Sequence, residues 1–173
     1  MTAQDAIPAR LGARAPRRQF VNVPENVVDE ALEGLEAAYP GLIRWNREPS
    51  FVTRADPAPA GRVAVVSGGG SGHEPLHVGM VGAGMLDAAV PGAVFASPTA
   101  GQILAATQAV SHGAGVVHIV KNYTGDVLNF SIAAEVASDD GIEVRRVLVD
   151  DDLATASATG DGPGRRGTAA TVV

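Results

Sequence analysis

The chain has 173 residues, of which 46% are hydrophobic and 18% charged, with no cysteine and a formal net charge of −6. That length suits one domain with a sizeable core, and the lack of cysteine excludes disulfides, thiolate chemistry and cysteine–zinc sites. The acidic balance and an aromatic content of 4% argue against a nucleic-acid partner, and no apolar run approaches the length of a membrane span.

Residues 1–19 carry Arg10, Arg14, Arg17 and Arg18 against a single acid, Asp5. They lack the apolar core of a secretory signal. A disordered tail is the simpler reading, an Arg-rich transit peptide the other, and the expected location is the cytoplasm. From Pro24 to Tyr39 the spacing of Val27, Val28, Leu32, Leu35 and Ala38 predicts an amphipathic helix, ended by Pro40-Gly41. A connector containing Pro49, Pro57 and Pro59 leads to a strand, Val63-Ala64-Val65-Val66.

That strand empties into Ser67-Gly68-Gly69-Gly70-Ser71-Gly72-His73-Glu74-Pro75, the most informative stretch of the chain. Glycines here let the backbone approach a small ligand, and a helix opening near Glu74 and Pro75 would add free N–H groups to a polar cradle. His73 sets a titratable imidazole beside it. The better-known glycine motifs fail. The final glycine of G-x-G-x-x-G would fall on His73 or Pro75, no Gly-Lys-Ser/Thr follows, and G-x-S-x-G would end on His73. A strand-to-helix turn needing glycine only for its backbone angles is the competing reading.

Gly92-Ala93-Val94-Phe95-Ala96 reads as the next strand. Ser97-Pro98-Thr99 then offers caps for a helix through about Val110, with Ile103, Leu104, Ala106 and Val110 on one face. The strand Gly115 to Val120 precedes Lys121-Asn122-Tyr123-Thr124-Gly125-Asp126, and a helix is predicted over 127–137. Lys121 and Asp126 fall in a loop at the carboxyl edge of a sheet, where open α/β folds bind ligands. Taken singly, Lys121 also reads as a solvated strand end and Asp126 as a helix N-cap. A strand over 143–149 completes a β-α-β rhythm, which predicts an α/β domain: a largely parallel central sheet flanked by helices. Asp150-Asp151-Asp152 reads as a solvated strand end rather than a metal site. His118 suits a satisfied core histidine, His112 a helix end, and His77 packing ahead of a place in the site. Residues 154–167 read as a loop, and the apolar start at 168–173 gives the chain the look of a cut piece.

From about Phe20 onward the sequence resembles the N-terminal half of the substrate-binding subunit of dihydroxyacetone (glycerone) kinases. The matching blocks are Val52 to Asp56, Ser67 to Pro75, Pro91-Gly92, Phe95 to Thr99, Lys121 to Phe130, Val149 to Asp152 and Arg165-Arg166-Gly167. The resemblance implies a truncated substrate-binding domain over 20–173. It implies that Gly70, Ser71, Gly72 and His73 contact the triose, with His73 as an acid/base group. Lys121 and Asp126 would bind substrate hydroxyls, with Asp126 the general base. It further implies transfer of a phosphoryl group to a terminal hydroxyl. The donor is ATP, or ADP recharged by a relay, held with Mg²⁺ on a helical nucleotide-binding subunit or domain, and the complete protein would be a homodimer. The family's covalent histidine lies in a second half beyond Val173, and His77, His112 and His118 match no such position. Weak or absent turnover is therefore expected from this chain alone. A non-catalytic triose sensor or regulator of the same family is the alternative.

Overall fold

The computed structural model describes residues 20–151. The readings made for residues 1–19 and for 152–173 lie outside that range. Six strands, β1 (Ile43–Arg47), β2 (Ser50–Arg54), β3 (Ala64–Ser71), β4 (Ala88–Val94), β5 (Val116–Lys121) and β6 (Val144–Val149), form one sheet in the order β1-β2-β4-β3-β5-β6. Strands β4, β3, β5 and β6 pair in parallel, while β1–β2 and β2–β4 are antiparallel. The α/β class and the largely parallel sheet are as expected.

Three helices flank it: α1 (Val27–Ala38), α2 (Ala100–Val110) and α3 (Thr124–Asp139). Helices α2 and α3 cover one face. Ile103, Ala106, Val110, Phe130 and Ala133 pack there against Val66, Val90, Val116 and Val120. On the opposite face Leu32 of α1 meets Ile43, Trp45, Val52 and Ala89. Helix α2 begins where its sequence directs, because Thr99 and Gln102 form a reciprocal capping box. On the α1 side of β5 and β6, Val117 and Ile119 remain half-buried and Val147 is exposed.

Four local expectations need correction. The proline connector contains the hairpin β1–β2, which buries Ile43, Trp45, Phe51 and Val52, with the Trp45 backbone N–H donating to Glu36 on α1 at 2.9 Å. The glycines extend β3 through Ser71 instead of forming a loop, and no α-helix opens at Glu74. A short 3₁₀ turn, Val78–Met80, follows instead. The strand expected over 92–96 runs from Ala88 to Val94. Pro91 is tolerated because β4 pairs with β2 only at Ala88 and Ala89. Asp126 is no N-cap: α3 starts at Thr124 after Tyr123, which places Asp126 in the first turn.

At the amino end of the sheet, Asp87 accepts from Arg54 Nη1 at 3.0 Å and from the Val65 N–H at 2.9 Å. The two charged side chains are only 10% and 11% exposed. Removing either partner would leave a buried charge uncompensated, which costs about 3–5 kcal/mol in typical cases.

His118 lies in the core, as expected, but it is only half satisfied: its ring is edge-on to Phe130 and its Nε2 is 2.9 Å from Thr107 Oγ1, while Nδ1 has no hydrogen-bond partner. The Thr107 hydroxyl donates to the Ile103 carbonyl, so the imidazole donates to Thr107 through Nε2. Burial, and after it the charge of Arg146, pushes its pKa down to about 4. The unfolded chain therefore takes up this proton near pH 6.5 and the native state only near 4. Stability is expected to fall as pH drops through that window, by about 1.4 kcal/mol per pH unit from this residue. Denaturant titrations between pH 7.5 and 4.5 on the wild type and His118→Gln measure it. The variant is expected to show a shallower slope, and identical slopes would remove His118 from the account.

Candidate functional site

Because β3, β4 and β5 run parallel, their carboxyl ends open at one edge. There Ser71, the loop after Val94 and Lys121 come together, joined by the first turn of α3. The glycines of β3 make this possible by their lack of side chains. A Cβ on Gly70 would stand 2.7 Å from the Ala96 backbone N and 2.9 Å from the Phe95 carbonyl carbon. A Cβ on Gly69 would stand 2.8 Å from both His77 Nε2 and Lys121 Nζ. Glycine at 70 thus lets the loop after β4 close over the strand, and glycine at 69 lets two side chains lie on it. Ser71 Oγ donates to the Gly92 carbonyl at 2.7 Å, tying the two strand ends.

His73 projects from the turn beyond β3, and its half-buried ring is walled by two aromatics. Phe95 meets it edge-on at 5.6 Å between centroids, and Tyr123 lies tilted at 6.5 Å. Phe95 holds a φ of 53°, a left-handed backbone uncommon for an aromatic residue. Lys121 is buried, its Nζ 5.3 Å from the centroid of the Tyr123 ring, a cation–π arrangement. Asp126 is buried as well, with Ser97 donating to its carboxylate and Oδ1 lacking a hydrogen-bond partner.

The charges are felt mutually. Burial lowers the pKa of His73, and the Lys121 charge lowers it further, against the opposing pull of Asp126 and Glu74. Burial also lowers Lys121, which Asp126 partly offsets. Burial raises Asp126, against the Ser97 hydrogen bond and the charges of Lys121 and His73. The three residues singled out from the sequence therefore form one electrostatic cluster, with a carboxylate made more basic beside an ammonium made more acidic. Among the described residues no three His, Cys, Asp or Glu side chains stand together as a metal site.

Sequence reading missed Phe95, Tyr123 and Ser97 as site residues, although each lies in or beside a stretch it singled out. In sequence Ser97 reads as part of a helix cap and of the block Phe95 to Thr99. The same reading set His77 down to packing. The structure buries that ring against Ser67, with Nε2 unpartnered beside Lys121. His112 and His118 lie away from the cluster. An apolar cavity of about 590 Å³ adjoins the site, between α1 (Val27, Leu32, Leu35) and the segment of Gly69 to Gly79.

Fold and site together define an α/β lobe whose candidate polar groups gather at the carboxyl edge of a largely parallel sheet. The Dak1 domain matches residues 33–173, and the chain belongs to that family. It is 47% identical over 156 residues to the dihydroxyacetone-binding subunit DhaK of the PEP-dependent dihydroxyacetone kinase of Escherichia coli (strain K12), covering 90% of this chain and 43% of that protein. The native dihydroxyacetone kinase of C. freundii superimposes with a TM-score of 0.81 at 45% identity, over 90% of this chain and 28% of that one. A dihydroxyacetone kinase operon co-activator, DhaQ, matches with a TM-score of 0.77 at 38% identity, over 83% of this chain and 43% of that one. The chain thus spans less than half the length of these relatives. No helix among the described residues is long and apolar enough to cross a membrane.

Gly70→Ala offers a direct check on the site's floor. The new methyl group would meet backbone atoms, which cannot rotate away, and a loss of about 1–3 kcal/mol is expected. Thermal and denaturant unfolding measure the loss. The His73 imidazole resonances should move with it, since Phe95 must shift, and an unperturbed variant would show that the loop after β4 adapts freely.

Proposed function

We propose that this chain is the triose-binding half of a dihydroxyacetone-kinase-type phosphotransferase. It holds dihydroxyacetone, or a similar short ketose, over Gly70, Ser71 and Gly72 with His73, Lys121 and Asp126. The observation that carries this reading is the buried Asp126 carboxylate, one oxygen unpartnered and its pKa raised, within electrostatic reach of Lys121 and His73. A primary hydroxyl is a poor nucleophile at neutral pH and needs a positioned base. In this proposal the substrate hydroxyl donates to Asp126 Oδ1. As its oxygen bonds to phosphorus and the donor's P–O bond breaks, the proton passes to Asp126. Lys121 neutralises charge on the sugar oxygens, and neutral His73 accepts from or donates to a second oxygen.

The nucleotide and its Mg²⁺ are assigned to a helical partner subunit or domain, since phosphoryl transfer otherwise needs mainly positioning and charge neutralisation. A homodimeric, cytoplasmic complete protein belongs to the same proposal. The likeness to an operon co-activator favours a second reading, in which the pocket senses a triose for a regulatory partner. The two diverge at the base.

Dihydroxyacetone titrated into the 173-residue chain is expected to shift the NMR signals of His73, Lys121 and Asp126. No saturable shift would count against both readings. In the complete protein assembled with its phosphoryl donor, Asp126→Asn should cut turnover by about 100-fold or more, with triose affinity changing far less. Retained turnover would remove Asp126 as the base, whereas a protein with no turnover and a regulatory response that survives the substitution is the sensor. The chain by itself, given ATP and Mg²⁺, is expected to show little or no turnover.

A further inference from the structure

Below the ligand-facing groups lies a buried polar pair that the mechanism above leaves unused. Ser67 is 0% and His77 3% exposed. The single hydroxyl proton of Ser67 goes to the Ile119 carbonyl at 2.8 Å. The 2.9 Å contact between Ser67 Oγ and His77 Nδ1 therefore has the imidazole as donor. Its proton sits on Nδ1, which leaves Nε2 a bare acceptor.

That acceptor is unpartnered and buried, and it stands 2.8 Å from the point where a Gly69 Cβ would be. Lys121 Nζ stands 2.8 Å from the same point. The lone pair and the ammonium thus both border the space over Gly69, which leaves no room for a Cβ. A neutral imidazole attracts a neighbouring ammonium, whereas a protonated one would repel it. Burial, followed by the charge of Lys121 and the nearby His73, pushes the His77 pKa down to about 3, which keeps the ring neutral.

We propose that His77 is a positioning residue: Ser67 fixes its tautomer so that the bare lone pair at Nε2 faces the space over Gly69 and draws the Lys121 ammonium toward it by charge–dipole attraction, without a direct hydrogen bond. Four methylene groups make a lysine head mobile, and a fixed lone pair beside it narrows that freedom. Such anchoring is the support a binding group needs from the residues behind it. Only the effect on ligand affinity rests on the triose-binding reading; the tautomer and the lysine anchor stand apart from it.

Two spectroscopic measurements on the 173-residue chain test the anchor without a ligand. Long-range ¹H–¹⁵N spectra should show His77 as the Nδ1–H tautomer throughout pH 5–9. An Nε2–H tautomer, or protonation within that range, would overturn the proposal. In protein labelled with ¹³C at the lysine ε-carbon, His77→Leu should lower the Lys121 pKa by about one unit, because the charged form loses a neighbouring lone pair that favours it. His77→Gln, whose amide oxygen can take the place of Nε2, should recover most of that shift. An unchanged Lys121 titration in His77→Leu also overturns the proposal. Should that variant fail to fold, Ser67→Ala removes only a hydroxyl, frees the tautomer and must shift Lys121 in the same direction. Dihydroxyacetone affinity, read by ligand-observed NMR, should weaken about tenfold in His77→Leu, which corresponds to about 1.4 kcal/mol, and recover in His77→Gln. A wild-type chain that binds no triose would sink the proposed function, while the tautomer and the lysine titration would still decide the role of His77.

Discussion

The site depends on a stretch of β3 that carries no side chains. Gly69 and Gly70 lie in the middle of a six-stranded sheet, where residues of high β-propensity would ordinarily stand. Their bareness brings His77 and Lys121 onto the strand at one position and the Phe95–Ala96 backbone over it at the next. Every functional group described above is placed by one of those two approaches or by an element packed against them. The strand gives up local stability, since glycine loses more backbone freedom on folding than any other residue. The surrounding core compensates, with Val66, Val90, Val120 and Phe130 on the helix-covered face.

Burial then does the electrostatic work. It lowers Lys121 and His73 and raises Asp126; the mutual charges partly oppose it, except that Lys121 adds to the fall at His73. The groups differ in where they are held. Asp126 comes from the first turn of a helix, where the backbone dipole favours negative charge. His73 comes from a turn and is walled by Phe95 and Tyr123. Lys121 ends a central strand, over the Ser67–His77 pair. A sugar with several hydroxyls would meet donors and acceptors supplied from three directions on a rigid sheet edge.

Much of this was legible in the sequence, and the reasons differ by element. Helix α2 announced itself through the caps at Ser97-Pro98-Thr99 and its apolar spacing, and β5 through its β-branched run. The candidate residues His73, Lys121 and Asp126 were found because polar groups followed apolar strands. The hairpin β1–β2 stayed hidden, since Arg44, Asn46 and Arg47 share its strands with Trp45 and Pro49 lies at its turn. Its apolar set is visible only once α1 is known to cover it. The extension of β3 through the glycines was also illegible, because nothing local favours a strand there and the pairing with β4 and β5 imposes it. His77 could not be distinguished from packing, for its meaning lies in Ser67 ten residues earlier and Lys121 far along the chain.

The Arg54–Asp87 pair has a consequence for that bare strand. Sliding one strand past its neighbour by a residue ordinarily turns every side chain to the wrong face, and this cost holds the alignment. Between Gly68 and Gly70 there is little to turn, so alignment there is only loosely enforced from within. Asp87, gripped by Arg54 and by the Val65 amide at the far end of β3, supplies the missing reference point. It works like the zero mark of a ruler, fixing from about five residues away that Gly70 lies beneath the Phe95–Ala96 backbone.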